Sequence, residues 1–199
     1  MRIIAGSAKG RVLKSLKGRA MRPTMERVRE SVFGMLGARA RGARFLDLYA
    51  GAGTVGLEAM SRGAAEVTFI ESHRPAGRVI EENARRCGFE SRSRVIIADA
   101  GRGMSILRRE GAQFDLVFVD PPYGSGELGG VMARLAQWPE MVAEGGLVLV
   151  QRSRHEDPGE QAGAFERMRS LRYGETVVDL YSRRGNADTG GGGSLRGSE

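Results

Sequence analysis

Residues 114–123, with the sequence FDLVFVDPPY, restrict the fold of this 199-residue chain more than any other stretch. Five of the first six residues are apolar, and the run ends in an aspartate, two prolines and a tyrosine. A short apolar run between chain-breaking residues is typical of a buried strand in a parallel sheet. Because proline has no backbone N–H to donate to a neighbouring strand, the chain has to leave the sheet at Asp120.

The turn after this strand carries groups that suit a flat base with an exocyclic amine. In open α/β sheets, ligands bind just beyond the carboxyl ends of the strands. Here that position holds a carboxylate, a proline carbonyl and an aromatic ring. The ring would stack on the base while the oxygens accept hydrogen bonds from the amine. We therefore predict a catalytic turn made of Asp120, Pro121, Pro122 and Tyr123.

Short apolar runs alternate with helical patterns from residue 44 onward, which predicts parallel βαβ units. The predicted strands are 45–50, 66–71, 94–98, 114–120 and 146–151, and the predicted helices are 54–61, 75–87, 102–109 and 128–138. Residues 165–172 and 176–182 flank Tyr173-Gly174-Glu175, which indicates an antiparallel hairpin at one edge of the sheet. The predicted fold class is α/β, a Rossmann-like and mostly parallel sheet over residues 44–183.

Positive charge is concentrated at the start of the chain. Residues 1–43 contain eleven Lys or Arg and two Glu, a local balance of +9, and the whole chain carries +7, so the remaining residues sum to −2. This distribution is the electrostatic footprint of a phosphate-rich partner. A role at a membrane surface is not favoured, because no clear apolar stripe accompanies the charge.

Residues 1–43 are predicted to form an RNA-contacting extension made of a hairpin and a helix. Gly6, Ser7 and Gly10 are turn residues between two short apolar patches, which favours the hairpin. Thr24 is predicted to cap the helix, whose apolar residues share one face. A two-stranded ribbon with a basic loop suits phosphate contacts better than base recognition. The candidate RNA-binding residues are Lys9, Arg11, Lys14, Arg22 and Arg27.

Other features exclude several classes of protein. No run has the length of a transmembrane helix, and the first residues lack the apolar segment of a signal peptide, so we expect a cytoplasmic protein. Cys87 is the single cysteine, and His73 and His155 have no ligand-like neighbours, so neither a disulfide framework nor a metal site is expected. A monomer is the default expectation. Residues 184–199 are glycine-rich and predicted to be disordered.

A glycine-rich segment follows the first predicted strand. Residues 51–56 fit the pattern G-x-G-x-x-G, and Glu71 lies twenty residues after Gly51. Taken alone, this pattern indicates a dinucleotide-binding turn. Asp47 argues against that interpretation, because a carboxylate at the end of the first strand would repel a pyrophosphate. A cofactor with positive charge and no phosphate fits better, and S-adenosylmethionine (SAM) carries a sulfonium and an ammonium group.

Acidic residues occupy the tips of four successive predicted strands: Asp47, Glu71, Asp99 and Asp120. The two oxygens of Glu71 can accept hydrogen bonds from both hydroxyls of a ribose. Asp99 can accept a hydrogen bond from the adenine amine, while a neighbouring backbone N–H donates to a ring nitrogen. Any single one of these acids could instead be a helix cap. The candidate cofactor-binding residues are Asp47, Tyr49, Gly51, Gly53, Glu71, Asp99 and Ala100.

These motifs together resemble a known family. The segment FLDLYAGAGTVGLEAMSRGA, the acidic positions Glu71 and Asp99 and the D-P-P-Y turn resemble class I SAM-dependent methyltransferases, and D-P-P-Y is similar to the form found in enzymes that methylate exocyclic or amide nitrogens. Together with RIIAGSAKGR and RPTMERVRESVF, they resemble the RsmD-like guanine-N2 methyltransferases of bacterial 16S ribosomal RNA, over residues 2–183. Met25 stands where that family usually has a small polar residue. The resemblance implies a guanine in the small ribosomal subunit as target. Because the chain is small and has few elements to read sequence, we expect the substrate to be an assembled or partly assembled particle.

Four other interpretations stay open at this point. A DNA adenine-N6 methyltransferase would share the D-P-P-Y turn, although the chain has no room for a separate sequence-reading domain. A protein glutamine-N5 methyltransferase would leave the basic extension without a purpose. A non-catalytic RNA-binding module could keep the same fold, and an NAD-dependent oxidoreductase could use the glycine-rich turn.

Overall fold

The structure is a computed structural model that describes residues 1–15 and 23–184. Within these residues the chain alternates helices and strands, as the pattern from residue 44 onward predicts. The elements, in chain order, are α1 (Pro23–Leu36), β1 (Arg44–Leu48), α2 (Thr54–Ser61), β2 (Glu66–Glu71), α3 (Arg74–Cys87), β3 (Ser93–Ile97), α4 (Ala100–Arg109), β4 (Phe114–Val119), α5 (Glu127–Gln137), β5 (Val142–Ser153), β6 (Gln161–Ala162), β7 (Phe165–Tyr173) and β8 (Thr176–Arg183). None of the helices described here is long and apolar enough to cross a membrane.

The strands of the described residues form one sheet with the order β3-β2-β1-β4-β5-β8-β7-β6. The first five are parallel to one another, and β8, β7 and β6 are added with antiparallel pairing. The chain runs outward from β1 to β3 and then returns to place β4 on the other side of β1. This reversal is the topological switch point, where open α/β sheets bind ligands. The expected fold class, with its antiparallel edge, is confirmed.

The sheet is covered on both faces, which explains why its central strands are apolar throughout. Phe118 on β4 belongs to a buried cluster with residues of α1, α2 and α3. Its neighbours Val117 and Val119 point the other way, into a second cluster with residues of α4 and α5. Because successive side chains of a strand alternate between faces, one short run of apolar residues supplies both cores.

The start of the chain packs on the same core as the sheet. Ile3, Ala8 and Leu13 are buried in the cluster that contains α1 and α2. The predicted hairpin is reduced to a single antiparallel bridge between Arg2 and Val12, because tight turns occupy most of the residues between them. The prediction that Thr24 caps the helix is wrong, since α1 begins at Pro23, a residue whose fixed φ suits the first helical position.

Several strand boundaries differ from the predicted ones. β1 ends at Leu48, two residues early, because Tyr49 adopts a left-handed φ of 63° that no strand continues. β5 begins at Val142, four residues earlier than predicted. The two-residue strand β6 pairs with β7, so the predicted hairpin does not itself form the outermost edge.

Candidate active site

The glycine-rich turn between β1 and α2 has a backbone that few sequences can adopt. Tyr49, Gly51 and Gly53 all have positive φ, at 63°, 59° and 76°. Gly53 precedes the first residue of α2, and a Cβ atom there would lie 3.1 Å from the Ile80 side chain. The turn therefore needs glycine at this position both for its dihedral angle and for its close packing against α3.

Asp47 lies beneath this turn and is only 2% exposed. Its Oδ2 accepts a hydrogen bond of 2.9 Å from the backbone N–H of Gly56 in the first turn of α2. Burial is the main cause that raises the pKa of Asp47 to about 7; the carboxylates of Asp120 and Glu71 act in the same direction, and the Gly56 hydrogen bond opposes them. The expected charged group facing the crevice is thus a buried carboxyl that supports the turn, and a direct contact with a cofactor stays a prediction.

Glu71 joins the glycine-rich turn to the end of β2. Its Oε2 accepts from the backbone N–H of Gly51 at 2.7 Å, and its Oε1 accepts from the backbone N–H of His73, also at 2.7 Å. The residue is almost fully buried. Each carboxylate oxygen has a second lone pair, so the orientation imposed by the two backbone donors leaves acceptor capacity for the hydroxyls of a ribose.

Asp99 is the N-cap of α4. The alternative that one of the four acids is a helix cap is therefore confirmed for Asp99. Its Oδ1 accepts from the backbone N–H of Arg102 at 2.9 Å, and the side chain is exposed. Ala100, the first residue of α4, is buried. A cap fixes the carboxylate without using all of its lone pairs, so capping and ligand binding are compatible.

Tyr49 links the two turns that flank the switch point. Its side chain is half-buried and forms a hydrogen bond with Glu127, the first residue of α5. Burial, followed by the contact with the Glu127 carboxylate, raises the pKa of Tyr49 above its usual range. A left-handed φ in a residue other than glycine costs free energy and is found most often at functional sites.

Asp120 follows directly after β4 and is half-buried. Its Oδ1 accepts a 2.9 Å hydrogen bond from Nε2 of Gln151 on the neighbouring strand β5. Pro121 is buried and Pro122 exposed, so the turn rises from the sheet between them. The contact of Gln151 with Asp120 could not be predicted from the sequence, because a glutamine at the end of an apolar strand has no motif around it.

Tyr123 is 46% exposed, so one side of its ring stays accessible for stacking. Its hydroxyl lies 3.2 Å from Oγ1 of Thr176 on β8, and it also forms a hydrogen bond with Gln151. The next residue is held as well, because the backbone N–H of Gly124 donates to Oε1 of Glu156 at 3.1 Å. Burial, as the largest cause, raises the pKa of Tyr123, so the hydroxyl remains a donor at neutral pH.

The candidate RNA-binding residues lie in different surroundings. Lys9, Arg11 and Arg27 are exposed, whereas the amino group of Lys14 pairs with Glu82 at 2.6 Å. Arg22 lies outside the described residues. Arg29, which adds to the positive charge of this part of the sequence, is buried and donates to the backbone oxygen of Arg2, so it serves the packing of α1.

Asn83 on α3 joins the basic segment to the glycine-rich turn. It is fully buried, accepts from the backbone N–H of Lys14 at 2.8 Å and donates to the backbone oxygen of Lys14 at 3.0 Å. The same amide nitrogen donates to the backbone oxygen of Ala52 at 3.1 Å. Asn83 could not be identified from the sequence, since a single asparagine within a helix carries no signal of a contact 69 residues away.

Comparisons with known proteins agree with this architecture. The family described as Conserved hypothetical protein 95 matches residues 1–182. The chain is 34% identical to "Putative rRNA methyltransferase YlbH" of Bacillus subtilis over 93% of its own length and 100% of that protein. It is 39% identical to "Ribosomal RNA small subunit methyltransferase D" of Escherichia coli over 64% of its length and 63% of that protein.

A solved structure is similar over nearly the whole molecule. "Putative methyltransferase yhhF" from Escherichia coli has a TM-score of 0.80 and 33% identity, covering 92% of this chain and 98% of its own. The family match over residues 1–182 includes both the sheet and the segment before it. The chain therefore belongs to the Conserved hypothetical protein 95 family, the RsmD-like methyltransferases.

Proposed function

We propose that this chain transfers a methyl group from SAM to N2 of a guanine in bacterial 16S ribosomal RNA. The observation that carries the proposal is the meeting of two turns at the switch point of the sheet. Leu48 of β1 pairs with Val119 of β4, so the residues that follow, Tyr49 and Asp120, leave adjacent strands at the same level. A cofactor on the first turn and a base on the second would therefore be neighbours.

The groups around the glycine-rich turn fit SAM. Glu71 is held by two backbone donors with its oxygens oriented, which suits a ribose with two adjacent hydroxyls. The exposed carboxylate of Asp99 adds negative charge beside the turn, and this favours a cationic cofactor over a pyrophosphate. We assign Asp47, Tyr49, Gly51, Gly53, Glu71, Asp99 and Ala100 to this subsite. When bound there, SAM supplies an electrophilic methyl group on its sulfonium.

The residues of the second turn would prepare the nucleophile. The exocyclic amine of guanine is a weak nucleophile, because its lone pair is delocalised into the ring. Asp120 and the backbone oxygen of Pro121 would accept hydrogen bonds from its two N–H groups and draw the nitrogen toward a tetrahedral shape. Hydrogen bonds of this kind, with proton transfer, typically contribute about 10²–10⁴-fold to the rate.

Tyr123 would fix the plane of the target base. Its ring is half-exposed and its hydroxyl is tied to β8 through Thr176, so the ring is oriented before a base arrives. Proteins that recognise single-stranded RNA commonly stack a splayed base on such a ring. A platform fixed in advance reduces the entropy lost when the base is positioned.

The exposed basic residues near the start of the chain would contact phosphates of the substrate. Lys9, Arg11 and Arg27 present their charge to solvent, and Lys14 lies close to the glycine-rich turn through Asn83. The names of the two relatives refer to ribosomal RNA, and one of them refers to its small subunit. With few elements to read sequence, the enzyme would take much of its specificity from a folded particle, and as a ribosome-modifying monomer it would act in the cytoplasm.

A methyl-transfer assay tests the proposal. Small ribosomal subunits from cells that lack this protein would be incubated with the protein and labelled SAM, and their RNA digested to nucleosides for mass spectrometry. Free 16S RNA, DNA and bulk protein would be tested beside them. We expect label in N2-methylguanosine, with subunits preferred over free RNA.

Three other outcomes would each contradict part of the proposed function. Label in N6-methyladenosine would keep the methyltransferase but contradict the guanine target. Label in protein glutamine would contradict an RNA substrate. SAM binding without transfer to any of these substrates would support a non-catalytic RNA-binding module instead.

A further inference from the structure

Gln151 stands at the point where the parallel and antiparallel parts of the sheet meet. It lies near the end of β5, between the parallel neighbour β4 and the antiparallel neighbour β8, opposite Val178. The residues before it on β5 are fully buried and apolar from Val148 to Val150. Gln151 is thus the first polar side chain of this strand at the crevice, and it is half-buried.

Its side chain contacts two of the proposed catalytic residues at once. Nε2 donates to Oδ1 of Asp120 at 2.9 Å, and the amide also forms a hydrogen bond with the hydroxyl of Tyr123. A primary amide suits this double contact because it carries both donors and an acceptor. An aliphatic side chain would make neither contact, and a carboxylate would oppose the charge of Asp120.

On the basis of the proposed function, we propose that Gln151 is a positioning residue for the target base. It holds the carboxylate plane of Asp120 toward the exocyclic amine, so that the other carboxylate oxygen is placed to accept a hydrogen bond from that amine. Through the Tyr123 hydroxyl it also aligns the stacking ring with that plane. Gln151 would contact neither cofactor nor base, so it acts only through its two neighbours.

The Gln151 amide is a hydrogen-bond donor to the Asp120 carboxylate. A hydrogen bond donated to a carboxylate stabilises its ionised form. Gln151→Glu would replace the donor by a second carboxyl, and two adjacent carboxyls share a proton until the pH is raised. The other titratable groups that face this pair are Asp47 at the end of β1, Tyr123 on the same turn and Glu156 in the loop after β5.

The test compares Gln151→Leu and Gln151→Glu with the wild-type protein. In the methyl-transfer assay, kcat should fall about 10²-fold for both at pH 7, as expected from a small misplacement of reacting groups. The affinity for S-adenosylhomocysteine, measured by calorimetry, should stay within about 3-fold, since the cofactor turn is untouched. Activity of Gln151→Glu should recover with rising pH, and that of Gln151→Leu should not. Gln137→Glu, an exposed glutamine at the end of α5, is the matched control.

A second measurement does not depend on turnover. Carbon-13 NMR of labelled aspartate side chains, in the protein without substrate, would follow the titration of Asp120. We expect its midpoint to move upward in Gln151→Glu and to stay in place in Gln137→Glu, with the melting temperature showing that both variants are folded. A wild-type kcat in Gln151→Leu, or an unchanged Asp120 midpoint in Gln151→Glu, would contradict the positioning role. A wild-type protein that methylates nothing would instead contradict the proposed function, and the role of Gln151 with it.

Discussion

The proposed active site has a cofactor half around the glycine-rich turn and a substrate half around Asp120, and the two halves hold their acidic residues in different ways. On the cofactor half, Asp47, Glu71 and Asp99 each accept hydrogen bonds from backbone N–H groups, and each has such a donor within twenty residues along the chain. On the substrate half, Asp120 is held by the side chain of Gln151, 31 residues away on another strand. Tyr123 is held by Thr176, 53 residues away.

This difference suggests how each half responds to substitution. A backbone donor is present whatever the neighbouring side chains are, so the cofactor half keeps its donors as long as the turn keeps its shape. A side-chain donor is removed by one substitution. We therefore expect the cofactor half to tolerate changes in its surroundings better than the substrate half, and the following experiments test that expectation.

The largest effect is expected for Asp120→Ala. Without the acceptor for the target amine, turnover should fall by about 10³-fold or more, within the upper range of acid–base contributions. Binding of S-adenosylhomocysteine should change by no more than a few-fold, because the groups around the glycine-rich turn are intact. Single-turnover methyl transfer and calorimetry measure the two quantities.

A matched control for this variant lies on the same strand. Asp115→Ala removes an aspartate that pairs with Arg44 at the other end of β4. It should lower stability slightly and leave turnover nearly unchanged. Equal losses of turnover in the two variants would mean that Asp120 has a structural role and not a catalytic one.

Glu71→Gln should weaken cofactor binding by about 10–100-fold. The amide nitrogen of glutamine would face one of the two backbone donors, Gly51 or His73, and leave it without an acceptor, at a cost of about 1–3 kcal/mol. The maximal rate at saturating SAM should fall much less than the affinity. Glu66→Gln, at the exposed start of β2, is the control and should leave calorimetric affinity unchanged.

Asp47 predicts an unusual dependence of stability on pH. Because the pKa of Asp47 is raised to about 7, the folded state still binds a proton at a pH where the unfolded chain has released it. Asp47 therefore stabilises the fold at low pH. This stabilisation is lost as the pH rises toward and through 7. Between pH 5 and pH 8 the loss should be about 2–3 kcal/mol, since each pH unit below the folded pKa is worth about 1.4 kcal/mol. Urea unfolding of Asp47→Asn should show a flatter pH profile over this range.

Asp115 gives the opposite sign and serves as the comparison. The hydrogen bond from the Arg44 guanidinium holds the pKa of Asp115 below the ordinary value of an aspartate. The contribution of Asp115 to stability is therefore lost only as the pH falls below that ordinary value. Asp115→Asn should therefore keep the wild-type slope between pH 5 and pH 8. If Asp47→Asn also kept that slope, the buried carboxyl would not titrate in this range.

The smallest effect is expected from the basic segment. Replacing Lys9, Arg11 and Lys14 together by Gln should make the logarithm of RNA affinity depend less steeply on the logarithm of salt, by about 0.7 for each phosphate that the protein no longer neutralises. A filter-binding series in increasing salt measures the slope. Arg94 on β3, with Arg108 and Arg109 on α4, forms the matched triple control. Identical slopes in both triple variants would show that the basic segment does not touch RNA.

Sequence patterns predicted much of the sheet because its rules are local. The apolar run at residues 114–119 and the breakers after it locate β4 to within one residue. The helix over Thr54–Ser61 matches its predicted bounds, because a glycine turn and an apolar face mark it. The patterns failed where no local signal exists, as at β6 and at the early end of β1, where the backbone of Tyr49 turns left-handed.

By itself, the order of residues determined the α/β class, the glycine turn and an acidic residue at or near the carboxyl end of each of four strands. These features depend on periodicity and on residues with special backbones, so neighbours in the chain suffice to define them. Only the tertiary structure decided that Gln151 and Thr176 hold Asp120 and Tyr123, that Asn83 joins Lys14 to Ala52, and that Asp47 is buried. The reason is physical: these contacts join residues far apart in sequence, and burial and the resulting pKa arise only when the sheet and its helices come together.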